Sequence, residues 1–376
     1  MNKNILIVAL TNLERSPRPL KQIECLRENF HIDTIGLNKS NRERNFYKIK
    51  KESLFRKFFS LPLLLFRMYD LYYWDKNKIK ISNKLKNKKK YDLIIVHEVR
   101  MLPLVFSFSG NAKVILDAHE YSPNNFDDNL IWRIFIKHFY IHLCKKYLKK
   151  CNYIFTVGNE ISKLYLKNFG IKSEVITNAA DFFDLTPSKI DSNKIKILHH
   201  GNASSSRKLE LMIEMMKYVD SNFELYLMLV AKRTNKLYLN KLKKIAKKYK
   251  NIHFLKPVPY NQLIEYSNSF DIGLLFFPPS NLNLKYCLPN KFFEYIQSRL
   301  CIVSGPSIEI KNYIDKYDLG ITSTSFNPKE IAKKINLLSE KDILIYKNNS
   351  DYNAKLLSSS VNKEKILHAV KNIIKS

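Results

Sequence analysis

The sequence predicts an α/β protein built of two doubly wound units, each a mostly parallel sheet with helices on both faces. Three observations predict it. Apolar, β-branched runs of strand length alternate with stretches of helical periodicity over the whole chain. A chain of 376 residues exceeds the usual size of one domain. Finally, the polar, aperiodic segment 184–194 (D-L-T-P-S-K-I-D-S-N-K) divides the alternating series in two and reads as an interdomain linker.

In chain order, 4–10 (N-I-L-I-V-A-L) reads as a buried strand, 17–29 as a helix and 31–37 (H-I-D-T-I-G-L) as the next strand, so the chain opens β-α-β. Segment 51–90 reads as one or two helices, apolar and aromatic first and lysine-rich at the end. Strands are expected at 91–98 and 112–120, then a long helix near 129–150, a strand at 152–157, a helix to Asn168 and a strand at 173–177. Beyond the divider, strands are expected at 195–199, 225–230, 252–255, 271–277 and 301–304, and a last helix at 362–374. Domain limits of 1–186 and 193–358 follow, with a terminal helical segment 359–376. In such folds ligands bind at the carboxyl ends of the strands.

Composition excludes several classes. The five cysteines (Cys25, Cys144, Cys151, Cys287, Cys301) are scattered, with no C-x-x-C, which argues against a disulfide framework and against a zinc site. No apolar run approaches the roughly 20 residues that span a bilayer, and the start lacks a secretory cleavage pattern, so a cytoplasmic protein is expected. The net charge of +30 draws the protein to polyanions. No zinc-finger, homeodomain or RNP pattern is present, and nucleic acid is not expected as a partner. Much of the charge is local, because residues 48–90 hold 14 Lys+Arg against 3 Asp+Glu.

The chemistry concentrates in 281–305, around L-P-N-K-F-F-E-Y (288–295). Pro289 suits the first turn of a helix starting near Leu288, since its missing N–H would be unpaired there. Lys291 and Glu294, three apart, share a face close to the helix N-terminus, whose free N–H groups favour an anion. A cation for phosphates beside a carboxylate for two sugar hydroxyls is what a nucleoside diphosphate needs. In isolation a P-x-K-x-x-E is more often a partly exposed surface ion pair. Its setting between the strands D-I-G-L-L-F-F (271–277) and L-C-I-V-S-G (300–305) is more specific.

With these motifs in place, the chain resembles the sugar-nucleotide-dependent glycosyltransferases of the GT-B fold, specifically glycosyltransferase family four, in the subgroup with L-P-N-K-x-F-E-Y. The resemblance implies two Rossmann-like domains facing each other across a cleft, with the last helix returning to the first domain. It also implies that Glu294 contacts the nucleotide ribose and Lys291 the diphosphate. L-D-A-H-E (116–120) is similar to the family's D-x-H-E, which makes His119 and Glu120 the catalytic candidates, His119 facing the donor sugar and its phosphate. His97 and Glu98 read as structural. R-S-P-R is similar to the subgroup's D-P-R, with Arg18 as the matching arginine in place of the paired glycines of other members. In H-H-G-N-A-S-S-S-R, Gly201 permits close backbone approach, the loop leads into a helix N-terminus, and Arg207 is the basic residue six positions on. Asn202, Asn283, Pro289 and Asn290 complete the nucleotide-sugar set. One departure stands out: Tyr286 occupies the place of a family glutamate eight residues before Glu294.

The expected function is retaining transfer of a glycosyl unit from a nucleotide diphosphate sugar to a hydroxyl of a bacterial surface glycan, whether capsule, lipopolysaccharide or lipid-linked oligosaccharide. No D-x-D pair sits in a suitable loop, so neither a metal nor another cofactor is expected. Arg207 and Lys291 would neutralise the departing diphosphate. A nucleotide-sugar epimerase on the same fold is the enzymatic alternative, and a basic nucleic-acid-binding protein the other.

Segment 55–90 allows two readings. Its aromatics and leucines (Phe55, Phe58, Phe59, Leu63 to Phe66, Tyr69, Leu71 to Trp74) and its lysines (Lys84, Lys86, Lys88, Lys89, Lys90) suit a helix lying in an anionic membrane surface. Alternatively the apolar face packs into the first domain while the lysines are solvated. The first reading puts the protein peripherally on the inner face of the cytoplasmic membrane, near a glycan or lipid-linked acceptor.

Overall fold

The computed structural model describes residues 3–53, 56, 59–87 and 91–375. Its contacts divide the chain into two units, Met1–Thr177 with Asn362–Ser376, and Asn178–Val361.

The first unit is built on a seven-stranded parallel sheet of order β3-β2-β1-β4-β5-β6-β7. The strands are β1 (Asn4–Val8), β2 (His31–Gly36), β3 (Asn45–Lys48), β4 (Leu93–His97), β5 (Lys113–Asp117), β6 (Tyr153–Thr156) and β7 (Glu174–Val175). The near-continuous apolar runs of β1 and β4 are those of strands covered on both faces. Order reverses between β1 and β4, so their carboxyl ends flank a topological switch point. Helices α1 (Pro17–Leu26), α2 (Leu61–Leu65), α3 (Tyr69–Tyr73), α4 (Lys76–Lys86), α5 (Lys137–Tyr147) and α6 (Asn159–Phe169) belong to this unit. Ile5, Ile7, Leu93, Ile95, Ile115 and Phe155 form a core with Ile366, Val370 and Ile373 of the final helix, Ser359–Lys375.

Local chemistry corrects one expectation here. Within segment 51–90, residues 61–86 break into three helices: Pro62 opens α2, Arg67 at φ 56° ends its turn, and the Asp75 side chain caps α4 by accepting from Lys78 N at 2.9 Å. Tyr72 and Tyr73 turn inward against Phe139 of α5, and Lys78 is buried against Glu52 Oε1 at 2.6 Å. Phe55, Lys57, Phe58, Lys88, Lys89 and Lys90 lie outside the described residues. The expected long helix 129–150 is present as unbroken helical backbone over 130–150, with a π-type turn (Trp132–Ile136) ahead of α5 and a 3-10 turn (Leu148–Lys150) after it.

The second unit has a six-stranded parallel sheet, β10-β9-β8-β11-β12-β13. Its strands are β8 (Ile195–Asn202), β9 (Phe223–Val230), β10 (Ile252–Phe254), β11 (Ile272–Leu275), β12 (Cys301–Ser304) and β13 (Gly320–Thr322). Here the order reverses between β8 and β11. Strand β8 runs past His199 to Asn202, which places Gly201 at the carboxyl end beside that switch point. Between β11 and β12 lies α7 (Asn290–Gln297), buried along all but its first residue. Gly273 on β11 lets α7 approach closely, because a Cβ there would stand 2.4 Å from Tyr295 Cδ2.

Segment 184–194 does not act as a free linker. Leu185 and Ile190 pack against the second core, Ser188 Oγ donates to the Asn268 carbonyl at 2.6 Å, and Asn268 Nδ2 donates to the Thr186 carbonyl at 2.9 Å. The segment is thus tied to the second unit by apolar packing and by these two hydrogen bonds, which composition alone does not reveal.

Candidate active site

Pro289, with extended backbone, is the N-cap of α7 and not a residue of its first turn, so the helix starts at Asn290. Lys291 and Glu294 then face inward. They are 6% and 5% exposed, against the partly exposed positions expected for a helix-start pair. The Lys291 ammonium reaches the end of β8: a Cβ on Gly201 would lie 2.8 Å from Lys291 Cε, 2.9 Å from its Nζ and 4.0 Å from Arg207 Nη1. Gly201, at φ 126°, supplies both the conformation and the space. Arg207 and Lys291 stand over one aromatic ring, Phe277, at 5.7 and 5.6 Å from its centroid.

This corner is electropositive and unsatisfied. Lys291 Nζ is buried without a hydrogen-bond partner, as are Asn202 Oδ1 and His200 Nε2. Burial, reinforced by the Arg207 charge, brings the Lys291 pKa down to about 7, with Glu294 acting in the opposite direction. Burial also lowers the Arg207 pKa. His200 is pushed down to about 3 by burial and then by Lys291, so it is neutral at physiological pH. An unpaired buried ammonium is costly, and an anion entering beside it relieves the cost.

Glu294 lies on the other side of this corner, with Oε2 3.6 Å from His200 Nε2 and a hydrogen bond to the Tyr260 side chain. The Tyr295 hydroxyl accepts from the His200 backbone N–H at 3.3 Å, and the two rings meet edge to face. Asn283 is buried in a short helix (Leu282–Lys285) whose N-cap is Asn281. Asn290 is exposed at the start of α7. Arg207 belongs to a 3-10 turn (Ser205–Arg207), and left-handed Lys208 separates it from the six-residue helix Glu210–Met215. The expected helix N-terminus is therefore not what an anion would meet; it would meet the guanidinium and the ammonium.

In the first unit, the ends of β4 and β5 carry a second buried polar group. His97 Nδ1 and His119 Nε2 are 2.9 Å apart, sharing a hydrogen bond. Asp117 Oδ2 accepts from Arg18 Nε at 2.7 Å and from Gln22 Nε2 at 2.6 Å, while Arg18 Nη1 donates to the Ile176 carbonyl at 2.7 Å. Burial favours a protonated Asp117, but the Arg18 guanidinium, by its charge and its hydrogen bond, holds the carboxyl well below the usual range. Burial lowers His97 to about 3 and His119 to about 4 against the pull of Asp117, so both imidazoles are neutral. His119 takes a left-handed φ of 55° and Glu98 one of 71°, uncommon for such residues and frequent near functional sites. The Glu120 carboxyl is raised by desolvation and then by Glu98, and its carbonyl accepts from the Tyr165 hydroxyl at 3.0 Å.

The ligand atoms of His97, Asp117 and His119 lie within 4.8 Å of one another, a set a cation could share. However, Arg18 already neutralises that carboxylate.

The structure thus gathers Gly201, Arg207, Lys291 and Glu294 in the second unit, and Arg18 and His119 around Asp117 in the first. Sequence reasoning missed His200, Phe277, Tyr260 and Asp117 as members of these groups. The H-H-G at the end of β8 and the D before A-H-E were the available signals.

Residues 183–356 match the family model described as "Glycosyl transferases group 1". No curated protein matches the chain. Among solved structures, sucrose-phosphate synthase from Thermosynechococcus elongatus is similar with a TM-score of 0.73 and 10% identity, covering 100% of both chains. HepE from Anabaena, in complex with UDP, gives 0.70 and 14%, covering 98% of this chain and 100% of its own. A glycosyltransferase from Rickettsia africae gives 0.70 and 15%, covering 100% and 99%. The fold is therefore that of the GT-B enzymes, two Rossmann-like α/β units. The segment 183–356 thus matches a group 1 glycosyl transferase domain, which supports a glycosyltransferase.

Proposed function

We propose that the protein is a retaining glycosyltransferase of the family-four type that takes a nucleotide diphosphate sugar as donor and a hydroxyl of a surface glycan or lipid-linked carrier as acceptor, working peripherally at an anionic membrane. The observation that carries this reading is the buried, unpartnered Lys291 ammonium converging with Arg207 on the glycine at the end of β8. Two fixed cations beside a Cβ-free backbone match a diphosphate. Glu294, a short distance along the same helix, offers carboxylate oxygens to the ribose hydroxyls. HepE was solved in complex with UDP-glucose as well as UDP, which supports a nucleotide sugar as the ligand class.

In the reaction the anomeric C–O bond to the diphosphate breaks and a bond forms from the anomeric carbon to the acceptor oxygen. The acceptor proton leaves to a phosphate oxygen or to solvent. Negative charge grows on the departing diphosphate, and cations already in position stabilise it without reorganising. The Lys291 ammonium and Arg207 guanidinium fill that role. His119, kept neutral by burial and hydrogen-bonded to His97, has the role of orienting the donor sugar that the family resemblance implies.

A panel of nucleotide sugars screened for thermal stabilisation, followed by transfer assays with glycan acceptors, tests the reading. A ligand at 100 times its Kd should add about 2.7 kcal/mol. If no nucleotide sugar stabilises the protein, or if the product is an epimerised donor formed without acceptor, the reading is wrong.

A further inference from the structure

We propose that His97 is a positioning residue: its hydrogen bond fixes the His119 ring as the tautomer with the proton on Nδ1, so that His119 meets a ligand only as a hydrogen-bond donor. The proton assignment stands on the first unit alone. Its consequence for catalysis rests on the reading above, in which His119 faces the donor.

Strand pairing builds the contact. β4 and β5 run parallel with His97 in register beside Asp117, and the Glu98 backbone N–H donates to the Asp117 carbonyl at 3.0 Å. Just past the end of β5 the chain takes its left-handed φ at His119, and the two imidazoles meet edge to face with centroids 5.2 Å apart. His97 Nδ1 then lies 2.9 Å from His119 Nε2. The His97 side chain is 3% exposed and that of His119 27%.

Both rings are neutral, so each carries one N–H, and one of those protons lies between them. Two arrangements satisfy the contact. If His119 donated from Nε2, the His97 proton would sit on Nε2 of that ring, which is buried without a hydrogen-bond partner. A stranded buried N–H is rare in folded proteins and costly. If His97 donates from Nδ1 instead, its Nε2 keeps only a lone pair, and the remaining proton goes to His119 Nδ1. That is the nitrogen left free for solvent or a ligand. In a histidine the bond made by one ring nitrogen decides the protonation of the other, and here the buried partner makes the decision.

The surroundings hold the shared proton in place. Asp117 Oδ2 is 3.7 Å from His97 Nδ1 and Oδ1 is 3.9 Å from His119 Nε2, so the carboxylate attracts a proton lying between the rings. Arg18 and Gln22 of α1 fix that carboxylate from the far side. A cation on the same atoms would have to replace the shared proton and stand close to the Arg18 guanidinium, 2.7 Å from Asp117.

The assignment limits what His119 can do. Nδ1–H donates to a phosphate or sugar oxygen, and in this state the ring has no free lone pair with which to take a proton from an acceptor hydroxyl. His119 therefore acts on oxygens of the donor and not as a general base, in keeping with an acceptor proton that leaves to phosphate or solvent.

The test is a two-bond proton–nitrogen correlation spectrum of the full chain labelled with nitrogen-15 histidine, without donor and at neutral pH. Signals are assigned by their loss in His97→Asn and His119→Gln. Both rings should show N–H character at Nδ1 and a bare nitrogen at Nε2; a proton on Nε2 of His119 would overturn the proposal. His97→Leu removes the donor, so His119 should become a mixture of tautomers, and kcat should fall about tenfold, the worth of one hydrogen bond, with a smaller rise in donor KM. His97→Asn puts an amide N–H near the place of Nδ1–H, and should restore the His119 signals and at least about a third of kcat. Equal losses in the Asn and Leu variants, or an unchanged His119 tautomer in His97→Leu, would reduce His97 to a packing residue. If His97→Leu fails to fold, the wild-type spectrum and the Asn variant still decide. The spectra need no donor, so a protein that bound no nucleotide sugar would refute the enzymatic reading and leave this test intact.

Discussion

Replacing Lys291 by methionine should make the donor-free protein more stable and the enzyme worse. The ammonium is buried without a hydrogen-bond partner, and its pKa falls from 10.5 to about 7. At about 1.4 kcal/mol for each tenfold, that fall corresponds to a ceiling of roughly 5 kcal/mol of destabilisation below pH 7. Methionine of similar length removes the charge and keeps most of the packing, at the loss of the attraction to Glu294. A net gain of about 1–3 kcal/mol is expected in urea unfolding at pH 6. The sign of the pH dependence follows from the depressed pKa. Between pH 7 and 10.5 the unfolded chain holds the lysine proton and the folded chain does not, so wild-type stability rises with pH across that window and the advantage of the variant shrinks. Over the same comparison, donor affinity should fall about 10- to 100-fold, the worth of one or two charge-assisted hydrogen bonds. A variant destabilised by more than about 1 kcal/mol that still binds donor as wild type does would show that Lys291 is a structural residue.

Three further outcomes are expected. Gly201→Val puts a side chain where Lys291 Cε and Nζ now lie, at a φ of 126°, and should abolish donor-induced stabilisation while the protein still folds, as checked by circular dichroism. His119→Ala should lower kcat more than it raises the donor KM; wild-type behaviour would reduce the His97–His119 pair to a loop-closing contact. Gly273→Ala places a Cβ 2.4 Å from Tyr295 Cδ2, so α7 must shift; a loss of about 1–3 kcal/mol with weaker donor binding is expected, and an unchanged unfolding midpoint would contradict it.

How much of this was legible in the sequence varies with the kind of interaction involved. Strands such as I-L-I-V in β1 and C-I-V-S in β12 were readable because burial on both faces demands continuous apolar residues. Edge strands β3 and β13 were not, since N-F-Y-K and G-I-T carry neither length nor pattern. Gly201, Arg207, Lys291 and Glu294 were found from spacing and family resemblance, but their burial was not. Only the packing of α7 over Gly273 turns a helix-start pair inward. His200 was missed because a histidine at a strand end has no local signature, and its role beside Glu294 is created by α7, about ninety residues later in the chain. The breaks in 51–90 lay in plain residues, Pro62 and Asp75, yet the dense aromatic run masked them.

The central claim is that Arg207 and Lys291 hold a diphosphate at the end of β8, and calorimetric titration with UDP, GDP and dTDP at pH 8 tests it most directly. With a pKa near 7 the donor-free lysine is about nine-tenths neutral at that pH, and it must be charged to pair with phosphate. Titrations in two buffers of different ionisation enthalpy should therefore show uptake of close to one proton per nucleotide bound. Affinity should fall about tenfold per pH unit above 7, and Lys291→Met should lose both effects. Binding without proton uptake, or with equal affinity in the Lys291→Met variant, would contradict the account, as would the failure of all three nucleotides to bind.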